Sequence, residues 1–412
     1  MLVCLVLLAS NHSTIEIFIY CVSCGIINTN NLAIAGLFFC YFLSLVFFTN
    51  FYVFFIQLSM ITAKFGGTAI TPRNLIHLKE ILTPFHKCVV VSAVGKEYQS
   101  DTKTTDLLIE YHNNPTDETW AKIADKYRRL VEVNAIDVDV NGLLIDARSR
   151  ALRYDLQYCM SLGEELSAKV VAAYLKARYL EAENVVFFDD GGLSVKTTYS
   201  NIQSSVKGAD LAVVGGFYGG CNCGRRTFSR GGSDVSGSIF AAATNSTLYE
   251  NWTDVSGVCV ANPIAVADVE TVSSMSYGEM YLLSLAGAEV LHPDAIAPVE
   301  EKGIPIKIGN FLQPYGKSTL VSTCPSVNKL LSIAEKSQDG KLVTTVLHSY
   351  PEWRITRLIS KFLRQNTRTL EYFGKSREVN VFKLYNLEIK DNLVRLTTDV
   401  SILNPLYKCL RE

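Results

Sequence analysis

From position 60 onward, short apolar runs alternate with longer stretches whose apolar residues recur at helical spacing. The short runs predict buried strands at 61–65, 88–92, 184–188, 211–214, 246–250 and 305–308. The longer stretches predict helices at 72–82, 117–133, 163–183, 232–243, 276–286 and 294–302. This alternation favours an α/β fold, an open and mostly parallel sheet with helices on both faces. In such sheets ligands bind beyond the carboxyl ends of the strands, so the loops there are the candidate site.

Residues 1–59 break this pattern, because Glu16 is their one charged residue and 32–48 is almost unbroken apolar sequence. A run of that length can span a bilayer, but the basic flank of a membrane anchor and the charged start of a signal peptide are missing. The composition is also typical of translated AT-rich noncoding DNA, with Met60 as a natural start. We therefore expect either an upstream extension that the working protein lacks or a membrane segment.

The whole chain has 412 residues, of which 48% are hydrophobic and 19% charged, so it can bury a large core. Its 39 basic and 40 acidic side chains give a formal net charge of −1, which excludes the basic surplus that nonspecific nucleic-acid binding needs. Eleven scattered cysteines are not typical of a disulfide framework, and Cys221 and Cys223 lack the second pair of a zinc site. We expect a reducing compartment, the cytoplasm.

The first glycine-rich loop follows the predicted strand 61–65, where Lys64 precedes Gly66 and Gly67. Backbone N–H groups of adjacent glycines can converge on phosphate oxygens, and a lysine adds a positive charge for the same oxygens. The GxxxxGK[ST] spacing of a P-loop is absent from the sequence. A tight strand-to-helix turn is the alternative interpretation.

The second glycine-rich segment, 215–234, holds seven glycines in 20 residues, and this density argues against both a helix and a packed strand. Charged residues interleave with the glycines: Arg225, Arg226, Arg230 and Asp234. An arginine beside the N-terminus of the helix that follows would hold a carboxylate or a phosphate. The alternative is a flexible linker.

Several motifs, in this order, resemble an aspartokinase. They are KFGGTAI from Lys64, SAVGKEYQSDTKTTDLL from Ser92, SLGEELSA from Ser161, GGFYGG from Gly215, SRGGSDVSG from Ser229, NWTDVSGV from Asn251, SYGEMYLLSLAGAEVLHPDAIAP from Ser276 and GIPIKIGN from Gly303. The resemblance covers about residues 60–320. It implies an amino-acid-kinase fold over 60–318, ATP with Mg²⁺ held mainly by the ATP phosphates, and transfer of the γ-phosphoryl group to the side-chain carboxylate of L-aspartate. That reaction opens the biosynthesis of lysine, threonine, methionine and diaminopimelate.

The resemblance also assigns roles to individual residues. The catalytic set that stabilises the transferred phosphoryl group is Lys64, Gly66, Gly67 and Asp234. The substrate set is Thr105, Glu164, Ser167 and Arg230, in which Arg230 clamps a carboxylate of aspartate and Glu164, together with Asp234, attracts its ammonium group. The nucleotide set is Lys64, Thr253, Asp254 and Lys307.

Structural alternatives remain open for several of these residues. Glu164 would head the helix predicted at 163–183, where the helix dipole alone favours an acid. Asp234 would be an ordinary acid in the first turn of its helix, and Thr253 with Asp254 a simple turn. His292, in a Leu-His-Pro corner, is expected to be structural.

The sequence departs from the family pattern at 260–264, where VANPI replaces a Thr-x-Asp-Pro-Arg stretch and removes an arginine expected near the nucleotide. Lys307, or Arg225 and Arg226, would then serve the phosphates in its place. The alternative is that this departure, which includes Asn262 and Ile264, weakens ATP binding.

Residues 319–412 leave room for one divergent ACT-like regulatory domain of the α+β class, with strands at 342–349, 378–387 and 392–399 and a helix at 352–365. Such domains pair, so we expect a homodimer through this region and weak or absent inhibition by lysine. The expected partners are L-aspartate and ATP, with no nucleic acid, and with a membrane only if residues 1–59 are expressed. The alternative function is a catalytically weakened amino-acid sensor on the same fold.

Overall fold

The computed structural model describes residues 4–11, 14–21, 25–28 and most of 60–410. Within the last range it leaves out 230, 264–265, 267, 289, 327–329, 339–340, 349–351, 366, 373–374, 381–383, 391–392, 399–405 and 408–409. The chain divides into two compact units, Met1–Ser59 and Met60–Glu412.

In the first unit, three antiparallel strands pair in the order β1 (Cys4–Asn11), β2 (Thr14–Cys21) and β3 (Gly25–Asn28). The candidate membrane segment 32–48 lies outside the described residues. Across the ranges that the structure does describe, no helix combines the length and the apolar character needed to cross a membrane.

The second unit is built on an eight-stranded sheet with the strand order β13-β15-β14-β12-β4-β5-β9-β6. Its strands are β4 (Ile61–Phe65), β5 (His86–Val91), β6 (Arg178–Leu180), β9 (Ala212–Gly215), β12 (Leu248–Thr253), β13 (Ser274–Ser276), β14 (Ile306–Asn310) and β15 (Ser318–Ser322). The six strands from β14 to β6 pair in parallel, whereas β15 is antiparallel to β14. The predicted open and mostly parallel sheet is therefore confirmed.

Helices cover both faces of this sheet. They are α1 (Ile76–Ile81), α2 (Thr104–Asn113), α3 (Asp117–Val133), α4 (Val140–Ala151), α5 (Leu156–Leu175), α6 (Ala182–Val185), α7 (Val195–Val206), α8 (Gly232–Ala243), α9 (Tyr277–Leu285) and α10 (Ala297–Glu300), with a 3₁₀ turn at Pro293–Ala295. One core holds Phe65, Val91 and Leu166 on the α5 side, and the other holds Val90, Val214 and Phe240 on the α8 side. Neighbouring strand residues thus face opposite cores, as the alternation of side chains along a strand requires.

The predicted helix 163–183 is wrong in position. Helix α5 begins seven residues earlier at Leu156, because the Asp155 side chain accepts a hydrogen bond from the Tyr158 N–H and caps it. It ends at Leu175, where Lys176 turns into the left-handed region with a φ of 52°. Glu164 therefore lies in the middle of a helix, and the helix-dipole explanation for this acid fails.

Three smaller predictions also change. The helix predicted at 72–82 is the shorter α1, and the strand predicted at 184–188 is split between the end of α6 and β7 (Phe187–Asp189). The helix predicted at 294–302 is divided between the 3₁₀ turn and α10, since Pro293 and Pro298 occupy the starts of these two short elements.

The glycine-rich segment 215–234 contains two packed strands, so the expectation that glycine density excludes strands is wrong. The strands β10 (Tyr218–Cys221) and β11 (Gly224–Thr227) form a hairpin in a four-stranded sheet ordered β11-β10-β7-β8, where β8 is Gly192–Leu193. A Cβ on Gly220 would lie 2.2 Å from the Glu183 carbonyl oxygen, and one on Gly219 would lie 2.5 Å from that of Val186. These glycines permit close packing on α6 rather than flexibility.

Among its described residues, the C-terminal part contains two further sheets and a long helix. The four-stranded sheet has the order β16 (Leu330–Gln338), β17 (Lys341–His348), β21 (Leu393–Thr398) and β20 (Leu384–Lys390), and β18 (Thr367–Tyr372) pairs with β19 (Lys375–Asn380). Helix α11 spans Glu352–Gln365. The domain boundary at 318 and 319 stays a prediction.

Candidate functional site

The candidate site lies at the edge where the parallel strands β12, β4, β5 and β9 end. The loops after these strands are adjacent because the strands are neighbours in the sheet. Gly66 donates its N–H to the Trp252 carbonyl at 3.1 Å, and Gly216 donates to the Val91 carbonyl at 2.9 Å. The two glycine-rich segments that the sequence singled out thus begin at one edge of the sheet.

Lys64 and Asp234 form the centre of this site. The Lys64 Nζ lies 2.6 Å from Asp234 Oδ1, and the two side chains are 10% and 13% exposed. Asn251 joins them, since its Oδ1 accepts from Lys64 Nζ at 3.5 Å and its Nδ2 donates to Asp234 Oδ1 at 3.1 Å. The register pairs Asn251 of β12 directly with Lys64 of β4. The result is a nearly buried cation beside a carboxylate in a fixed position.

Asp234 lies in the first turn of α8, and its second oxygen has a further partner. Oδ2 accepts the backbone N–H of His292 at 3.2 Å. Gly231 enters the helix with a φ of 81°, and a Cβ there would lie 2.7 Å from the His292 ring. Asp234 is therefore more than an ordinary first-turn acid. Arg230, which precedes this turn, lies outside the described residues.

The loop of Gly66 and Gly67 packs closely on the loop after β5. A Cβ on Gly67 would lie 2.8 Å from the Ala93 carbonyl oxygen, and the Gly67 carbonyl accepts the Gly95 N–H at 2.9 Å. The expectation that both glycine N–H groups are free for phosphate is wrong for Gly66, because its N–H extends the pairing of β4 with β12. For Gly67 the phosphate role stays a prediction.

Glu164 is buried in α5 beside the same loops. A Cβ on Gly215, at the end of β9, would lie 2.8 Å from the Glu164 carbonyl oxygen, and one on Gly216 would lie 2.8 Å from Ser233 of α8. These two glycines let Glu164 and the start of α8 approach the end of β9. Burial raises the pKa of Glu164 to about 8, although N–H groups of Ala93 and of Glu164 itself oppose the shift.

One carboxyl oxygen of Glu164, Oε2, is buried and has no hydrogen-bond partner in the part of the chain that the structure describes. A buried polar atom without a partner is costly, and a ligand that donates a hydrogen bond at this position would remove the cost. Ser167, one turn further along α5, is also fully buried. The helix face that they share was predicted from the sequence.

Thr105 lies in the first turn of α2, where it is half-buried. Its neighbour Thr104 donates to the Val94 carbonyl at 2.5 Å, and a Cβ on Gly163 would lie 3.4 Å from the Thr104 methyl group. The start of α2 thus packs against α5 one residue before Glu164. Thr105 is the next residue of α2, and its substrate role stays a prediction.

Thr253 and Asp254 lie at the carboxyl end of β12. The Thr253 hydroxyl donates to Asp254 Oδ1 at 3.2 Å, and the Asp254 carbonyl accepts from the Asn310 side chain at 3.2 Å. Thr253 shares the sheet face of Asn251, two residues away. Both residues are placed at the edge where the loops meet, and their nucleotide role stays a prediction.

Lys307 is on the opposite face of the sheet from Lys64. It pairs in register with Glu250, the neighbour of Asn251, and its Nζ lies 3.4 Å from Glu250 Oε1 and 4.6 Å from the centre of the Trp252 ring. Because neighbouring residues on a strand face opposite sides, the structure does not bring Lys307 to the Lys64–Asp234 pair.

Arg225, one of the suggested replacements for the missing arginine, is bound elsewhere. Its side chain is 1% exposed and forms ion pairs with Glu165 at 2.6 Å, Glu183 at 2.5 Å and Glu181 at 3.3 Å. Burial raises the pKa of Glu165, but hydrogen bonds from Arg150 and the charge of Arg225 hold it below its ordinary value. Arg225 ties the hairpin to α5 and α6, so its suggested role at the nucleotide is wrong.

Arg226, the other suggestion, is exposed and donates to the Asp189 carbonyl at 3.3 Å. Its guanidinium lies 5.6 Å from the centre of the Phe188 ring. Ile264, at the altered stretch, lies outside the described residues. The arginine that the sequence lacks therefore has no visible replacement among the described side chains of this hairpin.

A cavity of about 310 Å³ lies between the loop 94–102 and α3, and its lining includes Gly95, Tyr98, Asp101, Lys126 and Arg129. The predicted site residues do not line it. Lys126 pairs with Asp101 at 2.5 Å and also donates to the Gly95 carbonyl at 3.3 Å. This cavity borders the site without belonging to it.

The sequence reasoning missed Asn251 and His292 as members of the site. Asn251 carried a usable signal, because Thr253 two positions later was singled out and alternate strand residues share a face. The backbone contact from His292 to Asp234 crosses 58 residues and carries no sequence signal.

A family model described as the amino acid kinase family matches residues 59–310, which is more than half of the chain. The chain belongs to the amino acid kinase family. It is 34% identical to aspartokinase 3 of Bacillus subtilis over 289 residues, which are 64% of this chain and 63% of that protein. The chain thus matches somewhat less than two thirds of the length of that relative.

Two of the matching solved structures illustrate the shared fold. The aspartate kinase of Clostridium acetobutylicum, described as an allosteric enzyme, superimposes with a TM-score of 0.63 and 31% identity, over 83% of this chain and 78% of that one. Aspartokinase III of E. coli, in complex with aspartate and ADP, superimposes with a TM-score of 0.61 and 19% identity, over 83% of this chain and 79% of that one. The similarity to aspartokinases extends from sequence motifs to three-dimensional structure.

Proposed function

We propose that this chain transfers the γ-phosphoryl group of ATP to the side-chain carboxylate of L-aspartate, giving 4-phospho-L-aspartate and ADP. The observation that carries the proposal is the pair of features at one sheet edge, the Lys64–Asp234–Asn251 cluster and the buried Glu164 with its unpartnered oxygen. The named relatives, all aspartokinases, point to the same substrate.

The reaction brings a carboxylate toward a triphosphate, so negative charge must be neutralised where it gathers in the transition state. Lys64 supplies a cation at the end of β4. Asn251 and Asp234 fix the position of its Nζ, so little reorganisation is needed when the phosphoryl group arrives. We assign the clamp on a substrate carboxylate to Arg230 and a supporting position to Thr105.

Glu164 would bind the ammonium group of aspartate. An ammonium group beside the unpartnered oxygen supplies the hydrogen bond and the charge that a buried carboxylate needs. We also assign Ser167 to the substrate, and Thr253 with Asp254 to the nucleotide. We leave Lys307 out of this assignment, because it lies on the other face of the sheet from Lys64.

The side chains of this site offer few ligands for Mg²⁺. Among the described residues no group of three or more His, Cys, Asp or Glu side chains could hold a metal ion. Mg²⁺ is usually bound by one or two carboxylates together with substrate phosphates. Asp234 is the carboxylate that would contact it, and the bound ion would neutralise phosphate charge while ATP supplies most of its ligands.

We further propose that this reaction serves lysine, threonine, methionine and diaminopimelate biosynthesis, and that the chain forms a homodimer through residues 319–412. The reducing surroundings expected from its cysteines agree with the cytoplasm. The biosynthetic role and the homodimer rest on the similarity to aspartokinases.

The experiment is to trap the acyl phosphate with hydroxylamine, using ATP, Mg²⁺ and L-aspartate with the full chain. We expect aspartate hydroxamate from the native chain and a loss of about 10²- to 10³-fold in rate for Lys64→Met. Lys307→Met is the matched control, because it removes the same charge from the other face and should retain most of the rate.

A native chain that binds aspartate but yields no hydroxamate would contradict the proposal and favour the amino-acid sensor. Equal losses in the Lys64 and Lys307 variants would show that the catalytic cation has been misplaced.

A further inference from the structure

Cys221 and Cys223 lie at the tip of the β10–β11 hairpin, outside the proposed active site. Their Sγ atoms are 2.6 Å apart, about half an ångström more than the length of a disulfide bond. The register pairs Cys221 with Gly224, so Asn222 and Cys223 form the two-residue turn. Both thiols are free in this structure.

The turn itself holds the two sulfur atoms together. Gly224 has a φ of 123°, and a Cβ placed there would meet open space. Glycine at position 224 is therefore required by the backbone conformation of the hairpin turn and not by close packing. On either side, Gly220 packs on Glu183 and Arg225 is anchored by three carboxylates, so the base of the hairpin is fixed.

The combination of accessibility and a second thiol at 2.6 Å distinguishes this pair from the other described cysteines. Cys223 is exposed and Cys221 half-buried, whereas Cys88 and Cys159 are buried in the two cores. Burial raises the pKa of both core thiols to about 12, which keeps them unreactive. Cys324 is exposed like Cys223 but has no described cysteine beside it, and so it provides an internal comparison.

We propose that Cys221 and Cys223 are a site of reversible oxidation, at which a small-molecule disulfide such as oxidised glutathione converts the two thiols into one disulfide within the turn. The Cys223 thiolate attacks the small disulfide and releases one small thiolate, which takes up a proton. The Cys221 thiolate then attacks the Cys223 sulfur of the mixed disulfide and releases the second. Two electrons pass from the cysteine pair to the small disulfide, which becomes two thiols.

The order of attack follows from the surroundings of the two sulfur atoms. Burial, and then the hydrogen bond with Cys223, raise the pKa of Cys221, against a smaller opposing effect of the Arg226 charge. The exposed Cys223 is thus the sulfur that meets the oxidant. An exposed disulfide in a turn of this size is of the labile kind that reducing conditions reverse.

The test equilibrates the full chain, pretreated with a chelator, in glutathione buffers from reducing to oxidising, followed by acid quenching and alkylation with N-ethylmaleimide. Trypsin releases the peptide 208–225, which contains both cysteines. We expect this peptide to carry two alkyl groups in reducing buffers and none in oxidising buffers. The oxidised peptide should weigh two hydrogen atoms less than the peptide with two free thiols, and it should carry little glutathione. The peptide that contains Cys324 should carry either an alkyl group or a glutathione at every glutathione ratio.

The variant Cys223→Ser should leave Cys221 able to form a glutathione adduct, while Cys324→Ser should leave the oxidation of the pair unchanged. Separate glutathione adducts on Cys221 and Cys223 in the native chain would overturn the proposal. So would full alkylation of both at every glutathione ratio, or a soft metal ion retained by the pair after the chelator.

Discussion

Replacement of Glu164 by Gln tests how the buried carboxyl group binds the substrate. Burial raises the pKa of Glu164 to about 8, so in the free protein this group is mostly protonated below that pH. An ammonium group can pair with it only after the proton leaves. Aspartate affinity should therefore rise with pH up to about 8 and then level off.

The expected change in aspartate affinity follows from the difference between the pH and the pKa of Glu164. Each pH unit below the pKa costs about 1.4 kcal/mol, or tenfold in affinity, so aspartate should bind about 100-fold more weakly at pH 6 than at the plateau. Glu164→Gln removes the titrating group together with the charge. It should weaken binding at pH 8 by about 3 kcal/mol or more and abolish the dependence on pH below 8.

The assay is calorimetric titration of the full chain with aspartate at several pH values, in two buffers of different ionisation enthalpy. Binding at pH 6 to 7 should release close to one proton, and the Gln variant should release none. Succinate, which has both carboxylates but no ammonium group, is the matched ligand control and should release none. If native binding shows no proton release and no pH dependence, the assignment of Glu164 to the ammonium group is refuted.

Three further substitutions test packing and positioning. Gly67→Ala should lower the free energy of unfolding in urea by about 1–3 kcal/mol, since its Cβ would lie 2.8 Å from a backbone oxygen. Gly66→Ala should change stability little, because the nearest atoms to its Cβ would be 3.6 Å away. Equal effects of the two substitutions would refute the packing argument. Asn251→Ala should lower kcat/KM in the hydroxamate assay by about tenfold to 100-fold, because the hydrogen bonds that orient the Lys64–Asp234 pair are lost. An unchanged kcat/KM would show that the pair does not need Asn251. Arg225→Met should cost about 3–5 kcal/mol, because Glu165, Glu181 and Glu183 all lose the buried guanidinium that joins them. The exposed Arg226→Met should change stability by less than about 0.5 kcal/mol, and urea unfolding measures this contrast.

Local signals in the sequence predicted much of the fold. The bounds of β4, α3 and α8 agree with the predicted ranges, because each has a clear apolar period and a recognisable start, such as the Thr116 side chain that caps α3. The start of α5 was misplaced because its cap, Asp155, lies well before the apolar run. Strands β10 and β11 were missed because the close approach of Gly219 and Gly220 to α6 is a tertiary contact.

Motifs identified Lys64, Glu164 and Asp234 one at a time, but their arrangement depends on the sheet. The ion pair from Lys64 to Asp234 joins residues 170 positions apart, and strand alternation decided that Lys307 faces away from it. Desolvation of Glu164 likewise depends on what α5 packs against. Such properties arise from three-dimensional packing, which single-residue patterns do not encode.

The most direct measurement of the central claim follows an oxygen atom. L-aspartate labelled with ¹⁸O in its side-chain carboxylate is incubated with ATP, Mg²⁺ and the full chain, and the product is cleaved with hydroxylamine, which attacks the acyl carbon and releases phosphate. If the γ-phosphoryl group passes to the side-chain carboxylate, the released phosphate carries one ¹⁸O atom, as mass spectrometry would detect. Phosphate without ¹⁸O would show that ATP is cleaved by water or at another carboxylate, and would contradict the account.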